Sequence, residues 1–366
     1  MLIFVFCATP LSLRKQLMTK QITKTPEQEV SVSFSPDGKS LVYASERGNR
    51  WQIFESTRIR SEELYFSSST LLSEKILFTN ANNCYQPLFS PNGKELAFIE
   101  NRMTLKIWNK ESGQFRTILG QDHLFAMGEN DQYFAWSPDN KWLIFDYSLP
   151  GSAVGEIGLV AADGKSKPIN ITESGFQDFN AKFALGGEAI FWFSNRDGLK
   201  SVAQSGNSQL DIYAIYLTKE AFDKYNLSKE EFALAKEMSD KKLKRDSTAK
   251  KDSLNLLQID WKNIDSRKVK WTLNSTSISD AVVSKDGETL FYLARYEKGF
   301  NLWSLNLRTK ESKIISNLNA SSGNLTWDKD FKNIFLNASG GIMKINPESG
   351  KQESVSIQGE MVLDVS

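Results

Sequence analysis

The chain has 366 residues, 40% hydrophobic and 24% charged, which is enough apolar material for a sizeable core. Its 45 Lys and Arg balance 44 Asp and Glu, so no net field exists to steer nucleic acid or an acidic membrane. Two cysteines (Cys7, Cys84) and one histidine (His123) exclude a disulfide framework, a zinc finger and a His-rich metal site.

The first feature along the chain is an apolar run, Met1 to Leu13, too short to span a bilayer as a helix. Its basic residues, Arg14 and Lys15, follow the run, whereas a secretory signal wants them before it. Phe6 stands where a lipoprotein reading of Cys7 wants a small residue. Residues 1–16 therefore read as an atypical N-terminus: a truncated or misread start, or a fragment of a strand. Leu17 to Thr23 then reads as an outer strand with no hairpin before it.

A repeat occupies most of the remaining chain. VSFSPDGKSLVYAS (Val32–Ser45) returns as PLFSPNGKELAFIE (Pro87–Glu100) and FAWSPDNKWLIFDY (Phe134–Tyr147). It returns again as AKFALGGEAIFWFS (Ala181–Ser194), AVVSKDGETLFYLA (Ala281–Ala294) and LTWDKDFKNIFLNA (Leu325–Ala338). Aligned on Gly38, Gly93, Asn140, Gly187, Gly287 and Phe331, the steps are 55, 47, 47, 100 and 44 residues. A period of roughly 40–50 is the size of a four-stranded propeller blade. The long step is one period plus an insertion.

Each unit has a legible physical logic. A strand ends in Ser-Pro-Asp-Gly, where Pro36, Pro91 and Pro138 fix φ. Asp37, Asn92, Asp139 and Asp286 bond back to the local backbone. Gly38, Gly93, Asn140, Gly287 and the pair Gly186-Gly187 accept a left-handed φ. A second strand completes the hairpin. A third comes next (Trp51-Gln-Ile-Phe, Leu105-Lys-Ile-Trp, Asn301-Leu-Trp-Ser), then a short fourth (Arg116-Thr-Ile-Leu). Four such strands per repeat predict an all-β β-propeller over residues 17–366, with a large β-sandwich as the competing architecture. Seven blades with one incomplete is the favoured count, Glu360–Val365 supplying an inner strand; six complete blades is the other.

The insertion is placed at 218–253. Ser228-Lys-Glu-Glu231 fits a capping box that opens a helix, and Lys219–Tyr225 an earlier helical turn. Lys236–Asp252 reads as a solvated, flexible linker. Its lysines alternate with acids and lack interleaved aromatics, which argues against nucleic acid. Asp260 to Val269 reads as a return to strand. One loop is longer and more polar than a blade needs: Asn195, Arg196, Asp197, Lys200, Gln204, Asn207 and Gln209 make it the candidate for an axial mouth or a partner contact. His123 sits in a polar loop, and no nucleophile elbow, phosphate loop or zinc-protease motif occurs. No catalytic, cofactor or metal residue is assigned.

Five stretches carry a family likeness: Thr25–Gly38, Gly155–Gly164, Trp192–Gly198, Leu227–Leu234 and Ile345–Gly350. Together they resemble the second propeller of bacterial tricorn-like serine peptidases, and the repeats are similar to TolB-type propellers. The resemblance implies a ring that admits peptides through its axis toward a C-terminal-processing type of peptidase domain. The family's nucleophile and its partners lie beyond the propellers, so no catalytic residue carries over and this chain alone is expected to be inactive. Peptides are the expected partners, with the missing peptidase domains as further ones. The inner-strand stretches Val30-Ser-Val and Ala135-Trp-Ser are expected to line the channel. A stand-alone interaction platform and a decayed gene fragment are the other readings. The compartment stays open, with cytoplasm ahead of periplasm.

Overall fold

A computed structural model describes residues 3–6, 18–23, 25–63, 65–124, 132–148, 154–201, 208–245, 256–338 and 341–355. Six antiparallel sheets of four strands succeed one another along the chain, each with its strands in chain order. Blade one is Glu29–Phe34, Ser40–Glu46, Trp51–Arg58 and Leu72–Ile76. Blade two is Cys84–Phe89, Glu95–Glu100, Thr104–Asn109 and Phe115–Leu119. Blade three is Phe134–Trp136, Trp142–Ser148, Gly155–Ala161 and Ile169–Asn170. Blade four is Asp178–Ala184, Ala189–Ser194, Asp211–Tyr216 and Lys268–Lys270. Blade five is Ser277–Val283, Thr289–Arg295, Phe300–Asn306 and Ser312–Ala320. Blade six is Gly323–Trp327, Ile334–Ala338, Gly341–Ile345 and Gln352–Val355. The described residues thus form a six-bladed β-propeller, the second of the two expected counts rather than the favoured seven. Glu360–Val365 lies outside the described residues. Met18–Gln21 does have a strand before it: it pairs antiparallel with Ile3–Phe6.

The middle strands of blades two to five are apolar on both faces because a neighbouring blade covers each side. Val42 and Ile53 of blade one pack on Phe89, Leu96, Phe98 and Trp108 of blade two. Ile144 and Leu159 meet Ile190, Trp192 and Ile215 between blades three and four. Phe191 and Ala214 meet Leu290 and Tyr292 between four and five, and Leu293 and Leu302 meet Leu325, Ile334 and Leu336 between five and six. Each such fully buried Leu, Ile or Phe contributes about 1.5–3 kcal/mol. Among the described residues no comparable core joins blade six to blade one. Leu41, Tyr43 and Phe54 on that side of blade one are covered by Phe66 and Ile22.

The insertion leaves blade four after Tyr216 and rejoins at Lys268, with 51 residues between them. Helix α1 is Lys219–Asn226, capped by the Thr218 hydroxyl, which accepts from Ala221 N at 3.1 Å. Helix α2 is Lys229–Arg245. Its capping box is reciprocal: Glu231 N donates to Ser228 Oγ at 3.2 Å, and Ser228 N to Glu231 Oε2 at 2.8 Å. Lys236–Arg245 is therefore helix rather than linker, because the capped first turn propagates through strong helix formers. The returning arm is not strand from Asp260. It makes a 3₁₀ turn, Ile264–Arg267, before pairing. Buried Arg267 fixes that turn: Nε donates to Tyr216 O at 2.8 Å, Nη2 to Leu217 O at 3.2 Å and to Asp260 O, and Nη1 to Lys262 O at 3.1 Å. Arg308 of blade five holds α1, donating to Tyr225 O at 3.1 Å and Leu227 O at 2.5 Å while paired with Glu288.

Candidate functional site

One rim of the ring carries the hairpin turns. In four blades the turn serine donates to the acid or amide two residues on: Ser35 to Asp37, Ser90 to Asn92, Ser137 to Asp139 and Ser284 to Asp286, at 2.5–2.8 Å. The same Asp or Asn oxygen accepts the backbone N–H of Lys39, Lys94, Lys141 or Glu288. Gly38, Gly93, Asn140, Gly287 and Phe331 all have φ between 56° and 76°. Gly93 is held for a second reason: a Cβ there would sit 3.2 Å from Pro36 of the preceding turn. Gly187 similarly faces Pro138 and Leu257. Gly186 is left-handed inside the short turn Leu185–Gly187. Asn92 N donates to Asn140 Oδ1, and Leu257 N to Asp139 Oδ2, both at 2.8 Å. These residues hold the rim together.

The opposite rim carries the long loop. Its neck is closed by Gln209 N donating to Leu199 O at 2.9 Å and by Asn195 Oδ1 accepting from Gln177 N at 3.1 Å. Asp197 accepts from Tyr213 Oη at 2.6 Å and from Lys270 Nζ at 3.1 Å. These contacts hold its carboxyl below the usual carboxylate range, the Tyr213 bond contributing most. The Arg196 guanidinium lies over the Tyr213 ring at 4.9 Å and over Phe176 at 5.6 Å; Lys200 lies over Phe176 at 4.9 Å. Gln204 and Asn207 lie outside the described residues. The neck is thus occupied by its own contacts.

Of the stretches expected to line the axis, Val30, Val32 and Trp136 turn their side chains into blade contacts. Val30 and Val32 pack against the cores on the two sides of blade one, and Trp136 is buried with Nε1 donating to Leu88 O of blade two at 3.2 Å. One inner-strand position is polar in every repeat. Seven residues before each aligned turn residue stand Ser31, Gln86, Tyr133, Asn180, Asp280 and Asn324, all polar. Inner strands of blades one, two, four and five are bulged at or beside it. Ser31, Gln86 and Asn180 have φ of 56°, 50° and 52°. Left-handed backbone at such residues costs about 1 kcal/mol or more each, so packing on either side must impose it.

This ring of polar side chains stitches neighbouring blades. Gln86 Nε2 donates to Gln132 O at 2.8 Å, and Phe89 N donates to Ser33 Oγ at 3.2 Å. Lys182 Nζ is 2.5 Å from Asp280 Oδ1, and Asp280 Oδ2 accepts from Leu325 N at 2.8 Å. One carboxylate therefore joins blades four, five and six. Asp146 Oδ1 accepts from Asn180 N at 2.9 Å, joining blades three and four. Burial pushes the Asp146 carboxyl up to about 7, more than the Asn180 bond lowers it. Burial also raises the Tyr133 hydroxyl, helped by the charges of Asp146 and Asp280. Sequence reasoning missed Asp146, Lys182 and Asp280. The available signal was a carboxylate in Leu143-Ile-Phe-Asp-Tyr where other repeats carry Ala44, Ile99, Phe193 and Leu293.

Among the described residues no group of three or more His, Cys, Asp or Glu side chains is placed to hold a metal ion. His123 stacks on Tyr147 with centroids 5.6 Å apart. Buried Cys84 has its thiol pushed up to about 12 by desolvation. What the geometry offers is hydrogen bonding and charge around a central axis.

These features define the class of protein, a β-propeller, and known structures agree. The chain superposes on the tricorn protease with a TM-score of 0.60 at 12% identity, covering 93% of this chain and 33% of that one. A puromycin hydrolase mutant complexed with PGG gives 0.57 at 12% identity, covering 90% and 46%. TolB from Acinetobacter baumannii gives 0.50 at 12%, covering 87% and 63%. The chain thus spans from a third to under two thirds of these molecules. No protein-family model matches the sequence. No curated protein matches it.

Proposed function

We propose that this chain is a non-catalytic, tricorn-like propeller whose axis receives extended peptides and filters their access to a peptidase domain. The observation that carries the reading is the ring of polar residues at one repeat position, Ser31 through Asn324. A hydrophobic plug would stabilise the inner strands better than bulged, left-handed polar residues do. Donors and acceptors facing an axis suit a peptide backbone, which offers one N–H and one C=O per residue whatever its sequence. The likeness to the tricorn protease supports the fold of this reading; the peptide role is the proposal. The proposed layout is a ring over 17–366 with an inserted unit at 218–253, and the rim loop at Asn195–Gln209 as the flank nearest a partner domain.

The test is calorimetric titration of the whole chain with unstructured oligopeptides of mixed sequence. Binding is expected, and Tyr133→Ala with Asn180→Ala should weaken it about tenfold without loss of fold. A folded ring that gives no heat with any peptide, yet captures a folded protein, overturns the filter and favours an interaction platform.

A further inference from the structure

Between blades one and two lies a cleft of about 500 Å³, lined by Ser35, Asp37, Lys39, Glu55, Thr57, Lys75, Asn92 and Lys110 among others. A volume of this size accommodates a metabolite-sized molecule. A second cleft, of about 330 Å³, lies at the corresponding place between blades five and six. The equivalence comes from register. Glu55 stands opposite Val42 and Lys75, as Ser304 stands opposite Phe291 and Lys313. Lys110 follows Asn109 into a turn built like the one Pro347 enters after Asn346, each Asn oxygen accepting two following N–H groups. The space is therefore a property of the repeat.

The chemistry is not. Opposite the residue that matches Val42, blades two, three and four carry Ile107, Leu159 and Ala214, blade five Ser304 and blade six Lys344. Blade one alone among these places a carboxylate there, and Glu55 is buried, with 3% of its surface exposed. Burying a carboxylate where three blades carry Ile, Leu or Ala costs stability. Glu55 draws in one ammonium from each blade: Lys75 Nζ at 3.3 Å and Lys110 Nζ at 3.5 Å. Both lysines remain about half exposed or more toward the cleft. An ammonium has three donors, so each keeps donors after meeting Glu55. Lys39, paired with Asp37 at 3.9 Å, adds a third cation at the mouth. Three cations against two carboxylates leave the cleft positive.

We propose that this cleft is a binding site for a small molecule bearing a phosphate or carboxylate group, with Lys75 and Lys110 as the anion's ligands and Glu55 as the residue that positions them. The site is separate from the axis, and its test does not depend on the peptide reading. The probes are inorganic phosphate and citrate, titrated into the whole chain at constant ionic strength and read by calorimetry and by the shift in melting temperature against chloride. Saturable binding of either probe is the expected result, and which one binds tells the phosphate source from the carboxylate source. Lys75→Met with Lys110→Met should weaken it by about tenfold or more while the circular dichroism spectrum stays that of the parent. Lys313→Met, in the equivalent cleft, where Glu311 and Glu348 outnumber that one cation, should leave it unchanged. Binding no tighter than chloride overturns the site. So does equal loss from Lys313→Met, or a folded double variant that binds as the parent does.

Discussion

Asp146 makes the pH dependence of stability a direct reading of the joint between blades three and four. Its carboxyl has a value raised from 3.8 to about 7 by burial between blades three and four. Between those pH values the native carboxyl holds a proton that the unfolded chain has lost. Native protein then binds more protons, so stability is fully present below about pH 4 and is lost as pH rises toward 7. The difference corresponds to about 4 kcal/mol at most, and about 2 kcal/mol is the working figure because Asp146 is half-buried and keeps part of its hydration. Asp146→Asn keeps an oxygen for the Asn180 N–H and cannot ionise. The variant should match the parent at pH 3 and exceed it by about 2 kcal/mol at pH 8. Urea unfolding at five pH values between these limits measures the gap, and all other titrations cancel in the difference. Two curves that stay parallel across the range would refute the argument, since Asp146 would then titrate as an ordinary exposed acid.

Other perturbations test separate joints. Lys182→Met leaves Asp280 charged and uncompensated among three blades and should cost about 3 kcal/mol in urea unfolding, most of it recovered by adding Asp280→Asn. Gly158→Ala should cost about 2–3 kcal/mol in the same assay, because the new Cβ would lie 2.3 Å from the Phe145 ring. Arg267→Met removes the fork that gathers carbonyls from both arms of the insertion. Limited proteolysis between residues 219 and 260 should quicken about tenfold while the ring's melting temperature falls by only a few degrees.

The turns are legible in the sequence because their chemistry is local. Ser35, Asp37 and Gly38 make nearly all their contacts within five residues, so the tetrapeptide carries its own geometry. The capping box at Ser228 and Glu231 is legible for the same reason. The axis is not, because left-handed φ at Ser31, Gln86 and Asn180 comes from neighbours a blade away. Val30 and Trp136 look from sequence like channel residues, since both sit on inner strands, yet the pleat turns them into the blade contacts. Glu55 and Asp146 show only as breaks in apolar strands, which acquire meaning once the repeats are laid over one another. Lys236–Arg245 resembles a linker only if charge density is weighed above the helix start behind it.

The excursion from blade four has a consequence for how such rings change over time. The corresponding connections elsewhere have 5 to 13 residues, against 51 here, and the outer strand still pairs with Tyr213–Ile215 in unbroken register. Closing a flexible connection costs only about 0.6 kcal/mol per doubling of its length, so roughly three doublings add about 2 kcal/mol. One arginine gathering carbonyls from both arms is of the size needed to offset it. The outer wall of a propeller is therefore a docking berth for new sequence: a lineage can lengthen, shorten or exchange what hangs there while the pairing inside stays as it was.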